Sequence, residues 1–264
     1  DDKRGISYCL TVLGNVDSNQ GDLKSARSYH EQCLCIRREL GDKKGIALSL
    51  NNLATVVQAE GDLAGARELY ESSLEIGREI RDTEGTAMAL YNVATILIEA
   101  GDFAKARMLL RESLELREAM GAKEGIVLVL TALGSIEGEE GHHESALAAL
   151  EKALVLNHEI GNRLVTACVL ESLATLFARM SKLATAARFL GVASMLREKL
   201  GTPRQPGEQT RLDALILAIR SGVKEGQFPE SWEEGRELSV PGLIDEVGVL
   251  RREVHGRTDR INER

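Results

Sequence analysis

Through the first 200 residues, apolar side chains return every third or fourth position, stop at a short polar joint, and then return again. In "GIALSLNNLATVVQAE" the apolar residues Ile46, Leu50, Leu53 and Val57 fall at i, i+4, i+7 and i+11, and in the following "DLAGARELYESSLEIGREI" Leu63, Ala66, Tyr70 and Leu74 align in the same way. Each stretch predicts one amphipathic helix. The joints carry matching chemistry. Gly21, Gly61, Gly101 and Gly141 suit the left-handed conformation that ends a helix, while Asp22, Asp62 and Asp102 can accept the orphan N–H bonds of the next one. A second set of polar joints, midway between the first, lies at "GDKKG", "RDTEG", "GAKEG" and "GNRLV". The turns are therefore evenly spaced, and ten helices are predicted up to Leu200.

The pattern is periodic at 40 residues without insertion or deletion, giving units 1–40, 41–80, 81–120, 121–160 and 161–200. A fixed period of this length is the signature of stacked helix pairs. Small residues recur where paired helices must approach: Gly14, Ala54, Ala94, Gly134 and Ala174 in the first helix, and Ala26, Ala66, Ala106, Ala146 and Ala186 in the second. A larger side chain there would wedge the pair apart. The opening "DDKRGIS" already stands in register with "GDKKGIA" at 41–47 and "RDTEGTA" at 81–87, without an initiator methionine. The expectation is a piece of a longer polypeptide.

"LNNLATVVQAEGDLAGARELYESSLEI" and "LYNVATILIEAGDFAKARMLLRESLEL" resemble the tetratricopeptide repeat: Leu followed by a small residue in the first helix, Gly-Asp at the turn, then the alanine of the second. The resemblance covers residues 1–200. It implies an all-α, right-handed superhelix of five helix pairs whose first helices line a concave groove. Two departures from the short form of the family stand out: about six extra residues in each unit, and no proline closing the repeat. Units of this length resemble those of kinesin light chains, polarity adaptors and the sensor arms of large bacterial regulators.

Composition narrows the functional classes. The chain is 43% hydrophobic with only 3% aromatic residues, which favours a helical core of Leu, Ile, Val and Ala and leaves no expectation of sheet. A net charge of -8 with interspersed signs argues against direct binding of nucleic acid. The longest uncharged apolar run, "GIVLVLTALGSI" at 125–136, falls short of a membrane span, and a soluble, cytoplasmic protein is expected. Cys9, Cys33, Cys35 and Cys168 all fall within helices; Cys33 and Cys35 point about 200° apart on a 3.6-residue turn, which suits small buried residues better than a disulfide or metal site.

Catalytic signatures do not occur. The sequence contains no phosphate loop, no Gly-x-Gly-x-x-Gly and no His-Glu-x-x-His, so no enzyme, cofactor or catalytic residue is assigned. His142 and His143 sit among Glu139, Glu140 and Glu144 at a helix joint, a solvated arrangement rather than a metal site. What remains is surface. Carried over from the resemblance, the groove positions are Tyr8, Thr11 and Asn15; Asn51, Asn52 and Thr55; Tyr91, Asn92 and Thr95; Thr131 and Ser135; Glu171 and Thr175. These hydroxyls and amides can bond an extended peptide backbone or a polar small molecule, or simply keep an exposed wall wet. The chaperone-cofactor branch has lysine and arginine at the matching places, so chaperone tails are not expected ligands.

All four prolines, Pro203, Pro206, Pro229 and Pro241, lie after residue 200 and mark a change of organisation. Helices are expected near 207–222, after Ser231 with Ser231 and Glu234 in capping-box spacing, and near 241–255. Together, residues 201–255 would form a helical cap, and 256–264 a frayed tail. "AARFLGVASMLREKLGTPRQPGEQTRLDALILAIR" and "FPESWEEGRELSVPGLIDEV" resemble the C-terminal end of large bacterial signalling ATPases and transcriptional regulators. Unit 121–160 carries a charge of -5 and unit 161–200 one of +4, which suggests mutual attraction, self-association or docking to a further domain. The combined expectation is a non-enzymatic protein-interaction and sensing arm that binds a partner segment. A small-molecule effector domain and a self-associating scaffold, in its simplest form a homodimer, are the alternatives.

Overall fold

A computed structural model describes residues 2–201 and 206–262, apart from the side chains at 206, 208 and 257–262. Helices account for all the regular structure among the described residues. They fall into two compact units, one up to Gly121 and one from Ala122 onward. The first unit holds α1 (Lys3–Gln20), α2 (Leu23–Glu39), α3 (Lys43–Ala59), α4 (Leu63–Glu79), α5 (Thr83–Glu99) and α6 (Phe103–Met120). The second holds α7 (Lys123–Glu139), α8 (His143–Ile160), α9 (Arg163–Arg179), α10 (Leu183–Leu200), α11 (Pro206–Gly222), α12 (Gln227–Glu237) and α13 (Val240–Asn262). No helix among the described residues is long and apolar enough to cross a membrane.

The starts of α1–α10 are evenly stepped along the chain, from Lys3, Leu23 and Lys43 to Leu183, as the joints require. Asp2, Asp22, Asp42, Asp62 and Asp102 each accept a bond from the N–H three residues on, at 2.9–3.3 Å, and Asn162 does so at 3.2 Å. The residue before each of these caps, where it is glycine, has positive φ; at the equivalent places Arg81 and Ser181 are held at φ 56° and 58°.

Pairing follows from the small residues. Ala26, Ala54, Ala66, Ala94, Ala106, Ala146, Ala174 and Ala186 are fully buried. A Cβ on Gly134 would lie 2.6 Å from Leu150 Cγ, and one on Gly14 would lie 2.6 Å from His30 Cε1, so a larger residue at either place requires the facing side chain to shift. In the first unit a hydrogen bond crosses each pair: the Cys33 thiol donates to Ser7 O at 3.2 Å, Ser73 Oγ to Ala47 O at 2.8 Å and Ser113 Oγ to Ala87 O at 2.7 Å. The same register holds buried Ala153 and Ala193 in the second unit, where packing at that position takes the place of the bond. Phe177 and Phe189 add an edge-to-face contact there, with ring centroids 5.0 Å apart.

Cys33 is thus buried as expected, but Cys9 and Cys35 are exposed and Cys168 is half-buried. Cys35 lies on the solvent face of α2. Cys9 lies on α1 at the register where Ser49, Ala89, Val129 and Val169 are buried.

The end of the chain departs from expectation at one helix start. Ser231 does not cap α12; it is buried inside that helix, which begins four residues earlier. Gly226, at φ 84°, makes the turn, and buried Phe228 anchors the first helical turn, so burial outweighs the capping-box spacing. The connector residues 202–205 lie outside the described residues. The tail expected to fray from 256 has helical backbone as far as Asn262, and residues 263 and 264 lie outside the described residues.

α12 packs on α10 at backbone contact: a Cβ on Gly191 would lie 2.2 Å from Trp232 O, and one on Gly235 2.1 Å from Arg188 O. The Leu-Gly and Trp-x-Glu-Gly-Arg phrases of the tail therefore encode a close helix crossing. α13 packs against α8 and buries Leu243 and Val247. Its bases meet acids of α8, Arg251 with Glu151 at 3.1 Å and His255 with Glu144 at 2.6 Å. Its acids meet bases near α10, Glu246 with Arg188 and Glu253 with Lys182 at 3.6 Å. The charge imbalance between residues 121–160 and 161–200 is matched by the chain's own last helix.

Candidate interaction surface

Within the first unit α1 touches α3 and α3 touches α5; within the second, α7 touches α9. The first helices of adjacent repeats therefore stand side by side and form one wall in each unit. Their outward positions are those not used in pairing.

The expected wall residues divide by what their polar atoms already do. Tyr8, 69% exposed, and Asn15 project into solvent, and Asn52 is half-buried. Asn51 is not on the surface: it is 4% exposed, and its Oδ1 accepts from Asn92 Nδ2 at 2.8 Å. The hydroxyls of Thr11, Thr55, Thr131, Ser135 and Thr175 donate back to carbonyls four residues earlier, and that of Thr95 to Asn92 O three earlier. Each keeps acceptor capacity but has committed its proton. Thr55 Oγ1 also meets the Tyr70 hydroxyl at 3.0 Å. Burial raises the Tyr70 pKa, with the bond to Thr55 opposing it, so the phenol stays neutral and can serve this network.

A set of arginines not expected on this wall reaches it from the second helices. Arg37, Arg117 and Arg197 recur at one register in alternate repeats, with Gly77 and Asn157 at that register in the repeats between them. Arg37, 7% exposed, donates to Gly45 O at 3.0 Å, Ser49 Oγ at 2.8 Å and Thr11 Oγ1 at 3.0 Å, bridging its own repeat and the next. Arg117 lies over the Tyr91 ring at 5.8 Å, and burial lowers its pKa. Arg197 grips Glu171 with two bonds, of 2.9 and 3.2 Å, so Glu171 is neutralised where it stands. The sequence signal was the alternation of arginine with smaller residues at one register, visible only once units two apart are compared.

The joint at His142 brings His142 Nδ1 to 2.9 Å from Glu137 Oε2, and the ligand-type atoms of Glu137, Glu140 and His142 lie within 4.8 Å of one another. His143 does not join them; its Nδ1 is buried without a hydrogen-bond partner. Glu140 and His142 are exposed at this joint and Glu137 is half-buried.

Models of the tetratricopeptide repeat match residues 7–41 and 45–119. Among solved structures, BtubC (BKLC) from P. vanneervenii is similar with a TM-score of 0.63 at 19% identity, covering 77% of this chain and 85% of that one. The kinesin light chain nearly identical TPR-like repeats of Podosopora anserina are similar with a TM-score of 0.57 at 16% identity, covering 74% and 96%. At these identities the likeness is one of fold. Comparison with curated proteins gives no match. Repeats of this kind are generally protein-interaction modules. The even spacing of helix starts, the buried alanines of every pair, the repeat models and the all-α neighbours agree: residues 7–41 and 45–119 match the tetratricopeptide repeat, and the described helices have the fold of a repeat solenoid.

Proposed function

We propose that the chain is a non-enzymatic interaction and sensing arm that holds a segment of a partner protein, or of another part of its own parent protein, against the wall of first helices. The observation that carries this is the side-by-side placement of those helices with Tyr8, Asn15 and Asn52 at or near the surface and without a charge requirement. Amide and phenol groups in a row suit an extended backbone, whose own N–H and C=O repeat along the wall. The tail's resemblance to bacterial signalling ATPases and transcriptional regulators supports a regulatory parent. The four thiols, none in a disulfide, suit a reducing cytoplasm. Occupancy would shift the parent's state only as far as the segment prefers one state over the other.

The test is to select peptides from a random-sequence display library and measure their binding by calorimetry. The reading expects Tyr8→Ala with Asn52→Ala to weaken binding about tenfold or more, and Glu68→Ala with Glu75→Ala, on the exposed face of α4, to leave it unchanged. The reverse pattern would overturn it.

A further inference from the structure

α11 and α12 meet at the turn 223–226 and leave a cleft of about 500 Å³ between them, a volume typical of small-molecule sites. One side is aromatic and aliphatic. Phe228 is buried, its ring centroid 5.5 Å from that of half-buried Trp232, and Ile216 and Val223 continue the apolar lining.

The other side is positive. The Arg220 guanidinium sits 4.7 Å over the Phe228 ring, and among the described residues it has no carboxylate partner. The ring fixes one face of the guanidinium and leaves its N–H edges able to donate. Lys224 adds a second cation four residues on, likewise without an acidic partner among the described residues.

Two acids, Glu225 and Glu233, stand at the rim, the latter 3.8 Å from Arg236. They disfavour a polyanion and leave room for a single negative charge placed at Arg220 and Lys224.

We infer that this cleft binds an apolar monocarboxylate, with its carboxylate at Arg220 and Lys224, and its apolar body on Trp232, Ile216 and Val223. A bidentate, charge-assisted bond to Arg220 orients the acid, and the aromatic floor supplies the contact area. The site lies in the cap and does not depend on the peptide reading.

Trp232 is the only tryptophan in the chain, so its emission reports the cleft directly. The probe is 4-phenylbutyrate, with 4-phenylbutyramide as its uncharged counterpart. A saturable change in Trp232 emission is expected with the acid, about tenfold weaker with the amide, and about tenfold weaker in the doubly substituted Arg220→Gln/Lys224→Gln protein. Both side chains are exposed, so the variant should keep the parent's circular dichroism and melting curve. No saturable response, an equal response to the amide, or undiminished binding by the variant would overturn the inference. So would a phenylalanine-ended peptide that binds ten times tighter than the acid and loses this on C-terminal amidation, since the cleft would then be a receptor for protein termini.

Discussion

The side-chain amide of Asn92 donates to the amide oxygen of Asn51 across 2.8 Å, joining the first helix of one repeat to that of the repeat before it. Asn51 in turn points its own amide at Met88 Sδ, 3.8 Å away, and is buried. Its neighbour Asn52, about 100° around the helix, is half-buried. Two adjacent asparagines therefore do different work. Asn51→Ala is expected to cost about 1–2 kcal/mol of stability by stranding Asn92, whereas Asn52→Ala should stay within about 0.5 kcal/mol of the parent. Urea melts of the two variants check this.

Arg81 and Ser181 occupy joints where the other repeats use glycine, and both are held at positive φ. The left-handed backbone costs an ordinary residue about 1 kcal/mol, partly offset by the greater freedom glycine has when unfolded. Arg81→Gly and Ser181→Gly should each raise the melting temperature by a few degrees at most, and by similar amounts. Calorimetry of the two variants would show it.

His30 packs against Gly14 with its Nδ1 unpartnered, and its pKa is lowered, first by burial and then by the Arg37 charge. The unfolded chain therefore takes up the proton more readily than the folded one. The stability contributed by neutral His30 is fully present above the ordinary value of 6.5 and is lost as pH falls from there through the lower folded pKa. His30→Leu places at this register the residue found at Leu110, Leu150 and Leu190. Melts between pH 8 and pH 4 should show a shallower acid loss in the variant than in the parent.

Arg188 and Glu246 tie α10 to α13, and both side chains are partly screened by solvent. Discounting for that exposure, their coupling should be roughly 0.5–1 kcal/mol in a double-mutant cycle of Arg188→Met and Glu246→Gln, and it should shrink as salt rises. Chemical denaturation at low and high salt measures both.

The repeat was legible because local chemistry recurs: a residue in the left-handed region at every joint, a capping Asp or Asn at most of them, and an alanine in the first turn of every second helix. Tertiary placement was less so. Ser231 carries capping-box spacing, yet burying Phe228 moves the start of α12 upstream. Asn51 and Asn52 are indistinguishable by type, and only the neighbouring helix decides which is buried. The charges of α8 and α10 were visible, but their partners lie far along the chain on α13, a separation that periodicity does not bridge. Arg37 and Arg197 read as ordinary surface cations near helix ends, and packing turns them inward.

Hydrogen–deuterium exchange on the protein with and without a display-selected peptide tests the central claim most directly. Binding along the wall of first helices predicts protection concentrated in α3 and α5, around Asn52 and Asn92, with the exposed face of α4 unchanged. Protection confined to α2, α4 and α6, with α3 and α5 unaffected, would contradict it.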